Sequence, residues 1–351
     1  MALLKEPVKA GNVVLHNRLV MPPMKTGKAD ADGGVTDELV TYYAERARGG
    51  AIGLVITEHH YVREDGIASL NQVSVAKDAD IPGLARIAEA VHAEGSAIIM
   101  QLNHAGSATS ETLVKGKTRS ASAVRHPKAK GNPDEIPVPF TERELEGVIG
   151  AFADAAERAQ KAGYDGVEIH SAHGYLLNQF FSPLTNRRTD AYTGSSIEGR
   201  ILLQRQILRA VRERTGKDFL LALRLGGCNY SEIFGWKIAD AQGRIETQGS
   251  TIADAVEAAR IFEKDGDLDL LDLTGGLFGF VIPGRESPGY MKDLSSQVKR
   301  AVSLPVILTG GVTEAVQAQQ LLQEGAADLI GVGRALMADP AWARRQLNER
   351  T

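Results

Sequence analysis

Residues 163–200 read GYDGVEIHSAHGYLLNQFFSPLTNRRTDAYTGSSIEGR. A short apolar run, with Val167, Glu168 and Ile169 as the end of a buried strand, gives way to His170, His173 and Tyr175, and a helical pattern starts at about Ile197. If the chain turns helically as it leaves the strand, His170 and His173, three apart, face the same way. Two neighbouring imidazoles can each donate a hydrogen bond to one oxygen, and a phenol beside them can deliver a proton. That is equipment for polarising a carbonyl and protonating the carbon next to it. Two plainer readings stand beside it. A metal pair lacks the i, i+4 spacing and the intervening Glu of the common zinc helix, so no metal site is expected. Histidines that only hold a loop by hydrogen bonds remain the other reading.

Working outward, the same strand-then-helix unit recurs eight times. Strands are expected at Arg18–Met21, Ile52–Thr57, Ser96–Leu102, up to Ile169, Phe219–Leu225, Leu268–Leu273, Pro305–Leu308 and Asp328–Val332. Helices are expected at Thr36–Arg48, Ile81–Glu94, Thr141–Ala162, about Ile197–Arg214, Thr251–Lys264, around Leu294–Ala301, Glu314–Glu324 and Pro340–Leu347. Thr36 is a fitting N-cap, and Thr141 with Glu144 has capping-box spacing. A hairpin over Val8–His16 turns at Gly11-Asn12. Strands that are apolar almost throughout, each followed by an amphipathic helix, argue for a parallel sheet covered on its outer face. Eight units in this length fit a closed (β/α)8 TIM barrel, one domain over residues 1–351, better than an open sheet. An open dinucleotide-binding sheet would carry G-x-G-x-x-G after its first strand, which is absent.

Composition narrows the function. With 43% hydrophobic and 24% charged residues and a net charge of -4, the chain is not a general binder of nucleic acid or membrane surfaces. The start, MALLKEPVKAGN, shows no signal-peptide pattern, and no apolar run has transmembrane length. A single cysteine, Cys228, excludes an intrachain disulfide and suits a reducing cytosol, so a cytoplasmic protein is expected.

In a barrel, the active site is built from whatever follows the C-terminal ends of the strands. That rule collects Pro22, Pro23, Met24, Lys25 and Thr26 after strand one, and Glu58 and His59 after strand two. Gln101, Asn103 and His104 come from strand three, the His170, His173 and Tyr175 group from strand four, and Arg224 from strand five. Thr274-Gly275-Gly276, Thr309-Gly310-Gly311 and Gly333-Arg334 complete the rim. Glycine backbone, a helix N-terminus and Arg334 together suit a phosphate, though tight turns alone would also explain the glycines. Arg224 ends an otherwise apolar strand and must face a fixed negative charge, because a buried unpaired guanidinium is too costly.

At this point the chain resembles the Old Yellow Enzyme family of FMN-dependent NAD(P)H:alkene oxidoreductases, in the branch of bacterial NADH:flavin oxidoreductases and the barrel domain of 2,4-dienoyl-CoA reductase. The resemblance rests on LHNRLVMPPM (15–24), YYAERARGG (42–50), QLNHAG (101–106), EIHSAHGYLLNQFFSPLTNRRTDAYTGS (168–195) and ADLIGVGRALMADP (327–340). It implies an FMN ring across the barrel mouth, lined by Pro22, Pro23, Met24, Lys25 and His59. Gln101 and Arg224 would lie at its polar edge, with the phosphate on Gly310, Gly311, Gly333 and Arg334. It further implies that His170 and His173 grip the oxygen of an activated alkene and that Tyr175 is the proton donor. NADH or NADPH would reduce the flavin in the same site before the alkene enters, so no Rossmann motif is needed. A small-molecule substrate and a homo-oligomer go with the resemblance.

Departures from the family pattern carry expectations of their own. Lys25 stands where many relatives have Thr or Cys; its charge could raise the flavin's potential, or it could point away and leave Thr26 to contact flavin or substrate. His59 replaces a small residue and would narrow the pocket or offer only backbone. The segment from Tyr230 to Gly249 is long and is expected to form a lid through Phe234 and Trp236, with an exposed hairpin as the alternative. The Lys/Arg-rich run Lys115–Lys130 reads as a solvated loop before a contact for an acidic substrate tail. The chain stops at Thr351, so the iron–sulfur segment and second nucleotide-binding domain of longer relatives are not expected. Two other functions remain open: a flavoprotein NADH oxidase without an alkene substrate, and a flavin-free barrel lyase or isomerase acting on a sugar phosphate.

Overall fold

In the computed structural model, which describes residues 2–127, 135–235, 237–240 and 242–348, eight parallel strands close on themselves. They are β1 (Leu19–Met21), β2 (Leu54–Tyr61), β3 (Ala97–Asn103), β4 (Gly166–Ser171), β5 (Leu220–Cys228), β6 (Leu270–Gly275), β7 (Val306–Thr309) and β8 (Leu329–Gly331). Each pairs with its neighbour in chain order, and Ile330↔Leu19 and Gly331↔Val20 join β8 to β1. Closure gives every barrel strand a partner on both sides.

The covering helices are α1 (Asp37–Ala47), α2 (Ile81–His92), α3 (Glu142–Lys161), α4 (Ile197–Thr215), α5 (Ile252–Asp265), α6 (Lys292–Ala301), α7 (Ala315–Gln323) and α8 (Trp342–Asn348). Thr36, Thr141 and Thr251 cap α1, α3 and α5, each side chain accepting the N–H three residues on. Such caps contribute about 1 kcal/mol each. The buried face of α3, Leu145, Val148, Phe152, Ala155, Ala156 and Ala159, recurs every three or four residues and so forms one stripe against the barrel. Among the described residues no helix is long and apolar enough to cross a membrane.

Inside the barrel the strand period of two sorts the side chains into layers. Val20, Leu54, Ile56, Ile99, Leu220, Ala222, Leu270, Ile307 and Leu329 form an apolar layer, joined by Ala10 and Leu15 of the N-terminal hairpin. The hairpin (Val8–Ala10 with Val13–Leu15) turns at Gly11-Asn12 as expected, and Asn12 Nδ2 donates to Asp218 Oδ1 at 2.8 Å just ahead of β5. It therefore plugs the N-terminal end. Two residues further along their strands, Ile99 gives way to Gln101, Ala222 to Arg224 and Leu270 to Asp272, with Glu168 between them on β4. All four polar groups are buried.

The strand β2 departs from simple alternation. Thr57 pairs with Met100 but His60 pairs with Leu102, so one extra residue is inserted. Such a bulge re-aims side chains. His59 faces the barrel mouth, whereas His60 is fully buried with Nδ1 2.7 Å from the Glu58 carbonyl.

Burial holds the His60 imidazole down at about 4, below its ordinary 6.5. The unfolded chain therefore binds this proton more readily than the folded one, and stability is lost as pH falls from about 6.5 to about 4. This group alone sets a limit of about 3 kcal/mol. Urea titrations between pH 7.5 and 4 should show that decline, and His60→Gln should flatten it.

Candidate active site

A cavity of ≈ 370 Å³ opens at the C-terminal ends of the strands, and all eight strands or their following loops contribute to its wall. It brings together Pro22, Pro23, Met24, Lys25, His59, Gln101, His170, His173, Tyr175, Arg224, Gly310, Gly311, Gly333 and Arg334, all read from the sequence as rim residues. Thr26 is the exception and corrects the expectation. Its hydroxyl donates to Glu58 Oε1 at 2.5 Å and its N–H to Glu58 Oε2 at 3.2 Å. Burial raises the Glu58 carboxyl above its usual range, and the Thr26 bonds and the Lys25 charge partly offset that rise. A nearly buried carboxyl takes the nearest donors, so Thr26 turns to it and Lys25 stands at the wall.

His170 and His173 do meet, but not through a helical turn. His170 is still within β4, and His173 takes a left-handed φ of 58°, followed by Gly174 at 82°. The tight turn lays the imidazoles edge to face, centroids 5.1 Å apart and planes at 85°. Tyr175, at the start of the short helix Leu176–Phe181, has its ring 5.0 Å from that of His170. His173 Nε2 lies 3.0 Å from the Thr274 hydroxyl. Burial, then the neighbouring His173, Arg224 and His59, push the His170 imidazole well below its ordinary value. It is neutral near pH 7. Burial raises the Tyr175 phenol, which keeps its proton.

His59 contributes its side chain and not only backbone. Gln72 Oε1 accepts from the Ala68 N–H at 2.7 Å, which fixes the amide so that Nε2 donates to His59 Nδ1, also at 2.7 Å. By that bonding pattern Nε2 of His59 carries the hydrogen. The His59 ring lies 5.3 Å from the Tyr175 ring.

The cavity floor is a polar layer. Gln101 Nε2 donates to Glu168 Oε1 at 2.7 Å, and Arg224 Nε lies 3.3 Å from Asp272 Oδ2. Asp272 is thus the negative charge that Arg224 required. The sequence reading missed both carboxyls as site residues, although each is a charged residue within an apolar strand run, the same signal that marked Arg224. It also missed Phe280, Tyr290, Val312, Thr313 and Met337, which lie beyond the strand ends where no short-range pattern marks them.

Among the described residues of the segment 230–249, none lines this cavity. Phe234 packs on Phe278, ring centroids 4.8 Å apart, and Ile238 joins Val124, Leu184, Leu277 and Phe278 in a small side cluster. Phe234 and Ile238 are thus packed into a side cluster away from this cavity, and Trp236 lies outside the described residues. Phe280, 52% exposed and 5.5 Å from the His173 ring, forms the lip instead. In the run Lys115–Lys130, Lys117 pairs with Glu111 and Arg119 with Glu144, as a solvated loop would; Lys128 and Lys130 lie outside the described residues.

The two ends of the cavity differ in chemistry, and FMN fits both. At one end the wall is bare backbone beside Arg334. A Cβ on Gly311 would lie 2.5 Å from the Ser287 carbonyl oxygen, and one on Gly331 would lie 1.9 Å from Thr309 Oγ1. That cradle suits a phosphate. At the other end Gln101 and Arg224 offer donors to the polar edge of a ring. Among the described residues no cluster of three or more His, Cys, Asp or Glu is arranged to hold a metal ion.

Residues 3–351 match the NADH:flavin oxidoreductase / NADH oxidase family. The chain belongs to this family. A protein of Thermoanaerobacter brockii named NADH oxidase is 35% identical over 352 residues, 96% of this chain and 49% of the relative. The chain thus spans about half the length of that relative. An NADPH dehydrogenase of Halalkalibacterium halodurans is 35% identical over 335 residues, covering 95% of this chain and 90% of its own. The structure of an old yellow enzyme homologue from Zymomonas mobilis superposes with a TM-score of 0.81 at 27% identity, over 99% of this chain and 93% of that one. With the family comes FMN as its cofactor.

Gly311 combines a φ of 70° with the close carbonyl, so an added methyl strains the backbone by about 1–3 kcal/mol. Gly311→Ala should weaken FMN binding about tenfold or more in a fluorescence-quenching titration. Gly163→Ala, equally left-handed at 83° but with nothing within 4 Å, should leave FMN affinity unchanged.

Proposed function

We propose that this barrel is an FMN-dependent oxidoreductase that uses NADH or NADPH to reduce the carbon–carbon double bond of activated alkenes: enones, enoyl esters and enoyl thioesters. FMN, when bound, accepts hydride from the nicotinamide and delivers it to the alkene. The observation that carries the reading is the cluster of His170, His173 and Tyr175, ring centroids 5.0 to 5.1 Å apart along the chain, on the wall of the cavity that Gln101 and Arg224 floor.

Each chain group then has one task. Gly310, Gly311, Gly333 and Arg334 hold the phosphate, while Pro22, Pro23, Met24, Lys25 and His59 line the ring. His170 and His173 donate to the carbonyl or other electron-withdrawing oxygen of the substrate, where negative charge grows as hydride arrives. Fixed donors aimed at developing charge lower the barrier most in a site closed to water. A neutral His170 suits this task, since it donates without adding a charge that would need its own counter-ion. Tyr175, kept protonated by burial, gives its proton to the α-carbon. A single cavity receives nicotinamide and alkene in turn, consistent with a chain that carries no second nucleotide motif.

The name of the Thermoanaerobacter brockii relative favours a second reading, NADH oxidase without an alkene. In that case Tyr175 and the imidazole pair have no proton to deliver to carbon. The two readings separate in the half-reactions. The purified protein should be yellow, and Tyr175→Phe should keep flavin reduction by the nicotinamide within about twofold while slowing alkene reduction by about 10²–10⁴-fold. Equal loss in both half-reactions would contradict the proton-donor role. A wild-type enzyme that reduces none of a panel of enones, maleimides and enoyl thioesters would leave the oxidase reading.

A further inference from the structure

Glu168 and Asp272 are both fully inaccessible, and Arg224 is 4% exposed. They belong to the cavity floor, on β4, β6 and β5, with Asp272 in register with Arg224 and Glu168 in register with Gln101. The hydrogen bonds available to the two acids do not satisfy them. Gln101 Nε2 supplies one hydrogen to Glu168 Oε1, whereas Glu168 Oε2 and both Asp272 oxygens have no donor by hydrogen-bond geometry. Arg224 Nε approaches Asp272 at 3.3 Å but is itself without a hydrogen-bonded partner. Two carboxylates against one guanidinium in a space closed to water leave one negative charge uncompensated, which costs several kcal/mol. The two carboxyls interact with each other as well as with Arg224, so one proton between them removes the deficit and gives Glu168 Oε2 and one Asp272 oxygen a shared hydrogen bond.

We propose that Glu168 and Asp272 share a single proton, Asp272 being the ionised partner of Arg224 and Glu168 a neutral acid that donates to it, and that the pair fixes the charge beneath the flavin. Both are positioning residues. Glu168 bonds the Gln101 amide from below, so Gln101 meets the cavity in one orientation. Asp272 offsets the Arg224 cation, so the layer of Gln101, Glu168, Arg224 and Asp272 carries no net charge. Arg224 alone would favour the electron-rich reduced ring; Asp272 tempers that preference and leaves the bound cofactor a better hydride donor. The inference rests on the proposed function only in taking FMN as the ligand.

The test uses the FMN-loaded protein and needs no alkene. Infrared spectra should show a protonated-carboxyl band at neutral pH that shifts in D₂O, disappears in Glu168→Gln and survives in Glu58→Gln, since Glu58 is a further buried carboxyl. Glu168→Gln, which mimics the neutral acid, should change the ratio of oxidised to reduced FMN dissociation constants by no more than about twofold. Asp272→Asn in the Glu168→Gln background leaves no acid to take up the negative charge and should tighten reduced over oxidised FMN by about tenfold, a rise of about 30 mV for a two-electron couple. Three results would overturn the proposal: no protonated-carboxyl band surviving in Glu58→Gln, a Glu168→Gln potential raised as far as that of the double variant, or a double-variant potential that does not move. Should a floor variant fail to fold, the band in the Glu58→Gln protein still decides whether the proton is there. A protein that keeps the band and the potential shifts but reduces no alkene would refute the alkene reading alone.

Discussion

The site depends on a single geometric constraint, the alternation of side chains along strands that have closed into a barrel. Because inward positions recur every second residue, the interior fills in layers. Here the lower layer is wholly apolar, from Val20 and Leu54 round to Leu329. The next layer cannot be, since Gln101, Glu168, Arg224 and Asp272 occupy it. Four polar groups in a closed interior have chiefly one another for partners, Gln101 with Glu168 and Arg224 with Asp272. Together they make the floor of the cavity. The hairpin plug at the opposite end and the unbroken apolar layer keep water from reaching the floor from below.

Above the floor the same lack of water acts on a different set of groups. Desolvation disfavours whichever form is charged, so it lowers His170 and raises Tyr175, and both are neutral near pH 7. These two groups therefore offer hydrogen-bond donors and a proton without adding charge. Charge enters with the cofactor and grows on the substrate, and pre-aimed neutral dipoles meet it without first having to shed a solvent shell. Where the cavity does offer cationic groups, Arg224 is matched by Asp272 in the floor, and Arg334 stands by the bare glycine backbone where a phosphate would bring the matching anions.

The barrel itself was legible because its signals are local and repeated: apolar strands, amphipathic helices, Thr caps at Thr36 and Thr141. The rim was legible for a topological reason, since strand ends converge whatever their sequence. What escaped reading depends on pairwise choices across the fold. Thr26 and Lys25 are adjacent in the chain, and only the position of Glu58, 32 residues later, decides which of them faces the cavity. The helical turn assumed for His170 and His173 failed because a left-handed φ is rare outside glycine and leaves no mark on a His-Gly pair. Phe234 was read as a lid for its apolarity, but its partner Phe278 lies 44 residues away on another loop. Asp272 was within reach, because the argument that a buried Arg224 demands an anion could have been turned round to ask which strand supplies one.

The bulge in β2 shows how far a one-residue change of register reaches. Without the inserted residue, strict alternation would pair the end of β2 with β3 along its whole length, and His59 and His60 would exchange faces. With it, His60 packs into the interior, where it must stay neutral, and His59 turns to the mouth, where Gln72 holds its Nδ1 and leaves Nε2–H as the donor. A position that would otherwise add only bulk thereby places a third imidazole beside Tyr175. Its donor is fixed by an amide whose own orientation is fixed by the Ala68 backbone, so the direction of one hydrogen bond at the cavity wall traces back, through two others, to a register shift in the sheet.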